Sequence, residues 1–329
     1  MSLYAFYYTL TIVPRLLLAA LAQYFIPSWW KVDQLPSLKG KNIIITGSTS
    51  GLGKETCLQL GRKEATIYCV GRNKNKLIEL VKELKQKCGH ANFHYLVADF
   101  LDLTTVERAA DEFIAKGVPL HVLVNNAGTM ESPFELSKQG IESTFAVNHF
   151  AAVVFTMRLL PTLAPKARIV NLSSLAHSGN IPAGGIRYED LNNEAFYVST
   201  GGDQRYGETK LANLHFTKFL QQYFDKSERD IFVNAVHPGI IKTNIFDNAP
   251  WYLKYSPFPY IDVSNGALTQ IFVAGDDRIE KENYKGEYIA CYCTKTIPSN
   301  DATNQDFIDQ TAKWTKRILQ DQFRKDWSW

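Results

Sequence analysis

Hydrophobic positions along this chain follow two alternating rhythms. Short runs rich in β-branched and aromatic residues recur: "NIIIT" (42–46), "TIYCV" (66–70), "FHYLVA" (93–98), "HVLVNN" (121–126), "ARIVNL" (167–172) and "IFVNAVHP" (231–238). Between them lie longer segments whose apolar residues repeat at helical spacing. That alternation predicts parallel strands joined by right-handed helical crossovers. The predicted fold class is therefore α/β, a Rossmann-type doubly wound parallel sheet in a single domain. A seventh run, "GEYIACYC" (286–293), predicts an edge strand with Cys291 and Cys293 on one face. Beyond it, "DATNQDFIDQTAKWTKRILQDQF" (301–323) places Phe307, Trp314 and Ile318 at helical spacing, predicting a terminal helix packed on the domain. Two stretches, 177–204 and 244–262, interrupt the pattern as long insertions, and loops of that length are usually functional.

The first thirty residues break the alternation altogether. They are apolar and aromatic, and Arg15 is their one charge. Pro14-Arg15 interrupts the run where a spanning helix would need continuity, and "LLLAALAQYFI" after it reaches only about 16 Å as a helix. A cleaved signal peptide would have an A-x-A-like site in "ALAQ" but no early positive charge. A monotopic anchor or hairpin fits best, with Tyr4, Tyr7, Tyr8, Tyr24, Trp29 and Trp30 at the interface. Half-depth arms of that kind would also suit the monolayer of a lipid droplet. The expected organisation is an anchor over 1–30, a polar linker over 31–39, the Rossmann-type domain over 40–296, and a C-terminal helix over 297–329.

Composition narrows the classes. A chain of 329 residues, 45% hydrophobic, has ample material for one large core. A net charge of +3 without a basic stripe argues against nucleic acid as a partner. The five cysteines show no CxxC or Cys/His spacing, so neither a metal site nor a disulfide framework is indicated. They read as buried thiols in a reducing compartment.

The candidate chemistry begins at "TGSTSGLG" (46–53), between the first predicted strand and a helix. A glycine turn there aims helix amides and a positive dipole end at an anion such as a pyrophosphate. Gly47 would permit the tight turn, Gly51 the approach of the ligand, and Gly53 the packing of helix on strand, with Ser48, Thr49, Ser50 and Leu52 completing the loop. No P-loop Lys-Ser/Thr follows, which disfavours a nucleoside triphosphate. The second strand ends in Gly71-Arg72 with Lys76 nearby, where an NAD site would carry an acid. A guanidinium suits a 2′-phosphate, so the expected cofactor is NADP(H). Asp99 would lie beside the adenine, and Asn126, Ala127 and Gly128 would offer backbone to the cofactor.

In "RYGETK", Tyr206 and Lys210 stand four apart and so share one face of a helix. An ammonium beside a phenol is expected to lower the phenol's pKa from about 10, making it an acid or base near neutrality. "RIVNLSS" reads as a strand carrying Ser173 and Ser174 to the sheet's carboxyl edge, and Asn148 sits inside a helix, where an amide needs a task.

"TGSTSGLG", "NNAG", "VNHF", "RIVNLSSLAH", "YGETKLAN" and "VHPGIIKT" follow in the order found in short-chain dehydrogenases/reductases. Over roughly 39–300 the chain resembles the membrane-associated group of that family, similar to retinol dehydrogenases and the WW-domain oxidoreductase. The resemblance implies catalytic roles for four residues: Tyr206 as acid/base, Ser174 holding the substrate oxygen, Lys210 on the nicotinamide ribose, and Asn148 supporting a water relay. It assigns Ser174 the position rather than Ser173. It also implies that Pro238 and Gly239 turn beside the nicotinamide, with Ile241 and Thr243 contacting its amide. Two departures stand out: Glu208-Thr209 precede Lys210, and the interval from Ser174 to Tyr206 is longer than usual, which bears on substrate size and access.

The expected activity is NADP(H)-dependent hydride transfer to or from a carbonyl or alcohol of an apolar substrate (retinoid, sterol, fatty aldehyde or another lipid) at a membrane or lipid droplet. The aromatics Trp251, Tyr252, Tyr255, Phe258 and Tyr260 suggest a lid. The implied location is the endoplasmic reticulum membrane or lipid droplet with the domain facing the cytosol, and a homodimer stays open. The alternative is a membrane-bound NADP(H)-binding scaffold with little turnover.

Overall fold

Among the described residues, eight strands form one sheet in the order β3-β2-β1-β4-β5-β6-β7-β8. The computed structural model describes residues 18, 28–130, 133–179, 181–182, 184–241 and 260–323. The strands are β1 (Asn42–Thr46), β2 (Thr66–Gly71), β3 (Phe93–Val97), β4 (Leu120–Asn125), β5 (Leu163–Leu172), β6 (Phe232–Val236), β7 (Tyr288–Ala290) and β8 (Thr294–Thr296). All pairings are parallel except β7 with β8. The order reverses between β1 and β4, the switch point at which doubly wound sheets bind ligands.

Helices cover both faces. On one lie α1 (Gly51–Arg62), α2 (Lys74–Cys88) and α7 (Val263–Gly275). On the other lie α3 (Leu103–Ile114), α4 (Ser143–Thr162), α6 (Gly202–Lys226) and α8 (Gln305–Phe323), with α5 (Glu194–Thr200) leading into α6. Two apolar cores result, one on each side of the sheet. β1 shows why: Ile43 and Ile45 face one core and Ile44 the other, all fully buried. Among the described residues only α4 is long and apolar enough to cross a bilayer, and 83% of its apolar window is buried in the fold. It is a core helix.

Several sequence expectations need correction. β7 ends at Ala290, and Cys291–Cys293 form a 3-10 turn with Tyr292 and Cys293 at positive φ, so the two cysteines do not share a strand face. Nor is β7 the edge: β8, wholly exposed and polar, pairs outside it. The insertion at 177–204 contains α5 and a 3-10 turn (Tyr188–Asp190) rather than open loop. The buried face of α8 is Ile308, Thr311, Trp314, Thr315 and Leu319, with Phe307 and Ile318 only flanking it.

The chain before β1 is also more than a polar linker. Trp30 is fully buried, donates its indole N–H to Asp276 at 2.7 Å and stacks edge-on against Phe272. Leu35 and Leu38 are buried too, packed against Gly275. Trp30 is thus core, not an interfacial anchor, whereas Trp29 stays half exposed under the Arg278 guanidinium. Residues 1–17 and 19–27 lie outside the described residues, as do 242–259 with Thr243 and the lid aromatics before Tyr260.

Candidate active site

The tips of β1, β2, β4, β5 and β6 all point to the carboxyl edge of the sheet, and the first turns of α1 and α6 meet them there. At the tip of β1 the backbone turns through Gly47 (φ 65°) and Gly51 (φ 52°), conformations that a side chain would strain. A Cβ at Gly53 would lie 2.4 Å from the Gly47 carbonyl oxygen and 2.6 Å from Asn126 Nδ2, so only glycine lets α1 close on the loop. Asn126 Nδ2 donates to Thr46 O at 2.8 Å, and the Ala127 amide to Thr46 Oγ1 at 2.9 Å. These two residues staple the glycine loop to the tip of β4.

Ser48 differs from its expected part. Its hydroxyl is fully buried and donates to Val70 O at 3.0 Å, tying β1 to β2. Thr49 is half-buried beside Gly71, and Leu52 packs near Gly266 of α7. Ser50 is the exposed N-cap of α1, makes no capping bond, and is followed by no acid in the first turn. Such a helix start, held by glycines, fits the pyrophosphate of a dinucleotide.

Past β2 the chain runs through exposed Arg72, Asn73, Lys74 and Lys76, with no acid at the tip. Asn73 caps α2 by accepting from the Lys76 amide at 3.0 Å, which leaves the Lys76 side chain in solvent. Asp99, just beyond β3, accepts from the Leu101 amide at 3.1 Å and shapes the turn toward α3. Gly239 has a φ of 95° beyond β6, after Pro238. The Ile241 side chain is buried against Gly266, so it faces the core rather than the cleft.

The catalytic candidates converge. Ser174 lies beside Tyr206, near enough for its hydroxyl to pull the phenol's pKa down, and both residues are partly exposed. Ser173 is buried instead, its hydroxyl donating to Lys210 O at 2.9 Å. That bond moors α6 to the tip of β5 and leaves Ser174 as the serine in the cleft. Lys210 is buried, donates to Leu172 O at 3.2 Å, and holds its ammonium 5.2 Å from the centre of the Tyr206 ring.

One electrostatic expectation is overturned. Burial raises the Tyr206 phenol to about 12, and the neighbouring Ser174 hydroxyl only partly offsets it. The ammonium lies against the ring and is engaged by a carbonyl, so it does not bring the phenol below its ordinary range. Burial also brings Lys210 down to about 8. Through neutrality the chain alone therefore presents a protonated phenol, a proton donor.

Asn148 does have a task. Its Oδ1 accepts from the Thr129 amide at 2.7 Å, while Nδ2 donates to Thr129 O at 2.9 Å and Thr209 Oγ1 at 3.0 Å. It sits in a π-helical turn of α4 (Ala146–Phe150), a distortion frequent at functional sites. A Cβ at Gly128 would lie 3.3 Å from Asn148 Oδ1 and 3.4 Å from Lys210 Nζ, so the β4 tip, α4 and α6 meet at that glycine.

Two supporting residues escaped the sequence reading. Asn213 donates to the main-chain oxygens of Asn148 and Leu172, both at 3.0 Å. Its place three residues beyond Lys210, on the face of Tyr206, was the available signal. His177 Nδ1 lies 2.6 Å from Ser174 O and so must be the donor, which leaves Nε2 to accept from the Ser299 amide at 3.2 Å. Both bonds require the neutral ring, and burial lowers its pKa accordingly. No signal local to the sequence pairs residue 177 with residue 299.

Comparison with known proteins agrees with this geometry. The family model described as short chain dehydrogenase matches residues 41–188. An uncharacterized oxidoreductase of Schizosaccharomyces pombe is 35% identical over 306 residues, 89% of this chain and 88% of that protein. Retinol dehydrogenase 12 of Mus musculus is 33% identical over 275 residues, 82% of this chain and 83% of that protein. The crystal structure of a blue fluorescent protein from a metagenomic library, in complex with NADPH, is 26% identical with a TM-score of 0.60, covering 78% of this chain and 98% of that one.

Proposed function

Since this chain belongs to the short-chain dehydrogenase/reductase family, enzymes acting on alcohol and carbonyl groups with a nicotinamide cofactor, we propose that it reduces an apolar carbonyl compound using NADPH. The observation that carries this reading is the convergence of the Ser174 hydroxyl on the Tyr206 phenol with the Lys210 ammonium against the ring, at the edge where the glycine loop opens. Bound there, the dinucleotide would supply the hydride. Ser174 holds the substrate oxygen, and Tyr206, protonated through neutral pH, gives that oxygen its proton. Lys210 and the amide-locked Asn148 keep Tyr206 and the β4 tip in register. The reverse reaction would use the same groups.

Gly47, Gly51, Gly53 and the start of α1 would hold the pyrophosphate, with Asn126, Ala127, Gly128, Pro238 and Gly239 around the rest of the cofactor. Exposed Arg72 and Lys76 favour NADP over NAD, because no acid at the β2 tip competes for the ribose. For the substrate, the likeness to a retinol dehydrogenase supports a lipid-like molecule. The apolar stretch before Ser28 supports attachment to a membrane or lipid droplet, with Trp30 assigned to the domain instead.

The test is NADPH consumption with a panel of aldehydes by the native protein and by Tyr206→Phe. The native protein should consume NADPH with long-chain aldehydes and the variant should not. Turnover indifferent to that substitution would remove Tyr206 from its role. Deleting residues 1–28 should release a soluble protein that still binds NADPH; continued sedimentation with membranes would place the attachment elsewhere.

A further inference from the structure

Arg205 and Glu208 flank Tyr206 on α6, and hydride transfer uses neither. Charged side chains on a helix normally face water, yet these are 2% and 0% exposed, and their neighbour Glu142 is also 0% exposed. Arg205 Nη1 donates to Glu208 Oε2 at 2.9 Å, Nη2 donates to Asp190 O at 2.7 Å, and Nε lies 4.0 Å from Glu142 Oε2. The guanidinium stands 5.5 Å from the centre of the Phe145 ring and 5.9 Å from that of Phe196. Glu208 Oε1 accepts from the Arg187 amide at 3.1 Å, and the Glu142 amide donates to Asn192 Oδ1 at 2.9 Å. Arg187, Asp190, Asn192 and Phe196 all belong to the insertion between Ser174 and Tyr206.

Stability is a poor reason to keep such a cluster. Two carboxylates and one guanidinium leave water together, and apolar side chains of the same volume would stabilise as well or better. What a buried ion cluster does supply is a fixed register, because its partners tolerate little displacement. Here the partners are Tyr206's own helix and the segment that reaches α6 from Ser174. The insertion also carries apolar side chains at this edge: Val198 is 72% exposed, and Tyr197 packs edge-on at 5.6 Å against Phe134, in the segment before α4 where Leu136 is 51% exposed.

We propose that Arg205, Glu208 and Glu142 are positioning residues that hold the 186–200 insertion as an apolar wall at the mouth beside Ser174 and Tyr206, and so set the binding of bulky substrates. The proposal rests on reading this edge as the active site. The charged or titratable groups facing Glu208 are Arg205, Glu142, Arg187 and the Tyr188 phenol. Burial, against the pull of Arg205, raises Glu208 to about 7, so the cluster's charge changes in the working pH range.

The experiment uses the full chain with NADPH, comparing native protein, Arg205→Met and Glu208→Gln by chymotrypsin cleavage at Phe196 and Tyr197 and by kinetics on short and long aldehydes. Arg205→Met should be cut about tenfold faster in the insertion, and its KM for the long aldehyde should rise about tenfold while kcat falls less than about threefold. Glu208→Gln, which keeps the shape and removes the charge, should stay protected but lose the change in KM between about pH 6 and 8. Native cleavage and native KM in Arg205→Met would overturn the proposal. Should that variant fail to fold, a native pH dependence of KM in Glu208→Gln overturns it. If the native protein turns over no aldehyde, the reaction reading falls and the cleavage rates alone decide the wall.

Discussion

The two halves of the sheet reach function by opposite means. In the half built on β1–β3, backbone does the work: positive φ at Gly47 and Gly51, no room for a Cβ at Gly53, and a helix start free of acids. In the half built on β4–β6, side chains do it. Buried Asn125 donates to Asn171 at 2.8 Å, Asn171 to Thr217 at 3.0 Å, and Asn148, Ser173, Lys210 and Asn213 continue the network toward the cleft. Polar groups are buried at a cost, which partners offset across this network, with Asn125 Oδ1 an exception that has none. One half is intolerant of added atoms and the other of lost hydrogen bonds.

The largest effect should come from the second half. Lys210→Met removes the ammonium over the Tyr206 ring while keeping the side chain's volume, and kcat should fall about 10³-fold. Because burial already disfavours the lysine's charge and Leu172 O keeps its bond from Asn213, unfolding by urea should show a loss of no more than about 1 kcal/mol. Gly53→Ala should do the reverse. A methyl 2.4 Å from the Gly47 carbonyl oxygen forces the loop apart, costing about 2 kcal/mol in urea unfolding and weakening NADPH binding in a fluorescence titration. Equal behaviour of the two variants would erase the contrast.

A smaller test is pH. The folded protein keeps the Glu208 proton up to about 7, whereas an unperturbed carboxyl releases it at 4.5. Folding therefore takes up a proton in that window, and stability declines as pH rises through it. Glu208→Gln should remove that decline, on the order of 2 kcal/mol, in unfolding curves taken from about pH 4.5 to 7.5. The mildest expected change is Arg72→Ala, which should reduce the preference for NADPH over NADH about tenfold in paired titrations, about 1.4 kcal/mol. An unchanged preference would leave the β2 tip without a role in choosing the cofactor.

The contrast between halves also governs what the sequence could reveal. Glycines at a strand tip are a local signal, and β1 to β6 follow the apolar runs because they pack against the two cores, the edge strand β3 least completely. β8 left no signal, since all three of its residues are exposed and polar. The alternation in "YIACYC" continues past the point where positive φ at Tyr292 and Cys293 ends the strand. Trp30 read as lipid-facing because its apolar neighbours do, but its partner Asp276 is 246 residues away. Nothing local marks Arg205 and Glu208 as buried, since the groups that enclose them, Asp190 O, Glu142 and the Arg187 amide, lie in other elements. The Tyr206–Lys210 spacing put the two side chains on one face of α6, where the structure has them, but carried no sign of their burial, which raises the phenol and lowers the lysine and is a property of the whole fold.

The central claim is that the hydroxyls of Ser174 and Tyr206 act on one oxygen as a unit. Its most direct test is a double-mutant cycle of Ser174→Ala and Tyr206→Phe, read as the single-turnover rate of NADPH oxidation with a long-chain aldehyde, with cofactor affinity measured alongside. We predict unchanged NADPH binding and a double variant about as slow as Tyr206→Phe alone. Losses that simply multiply would mean that the two hydroxyls act independently, and would contradict the account.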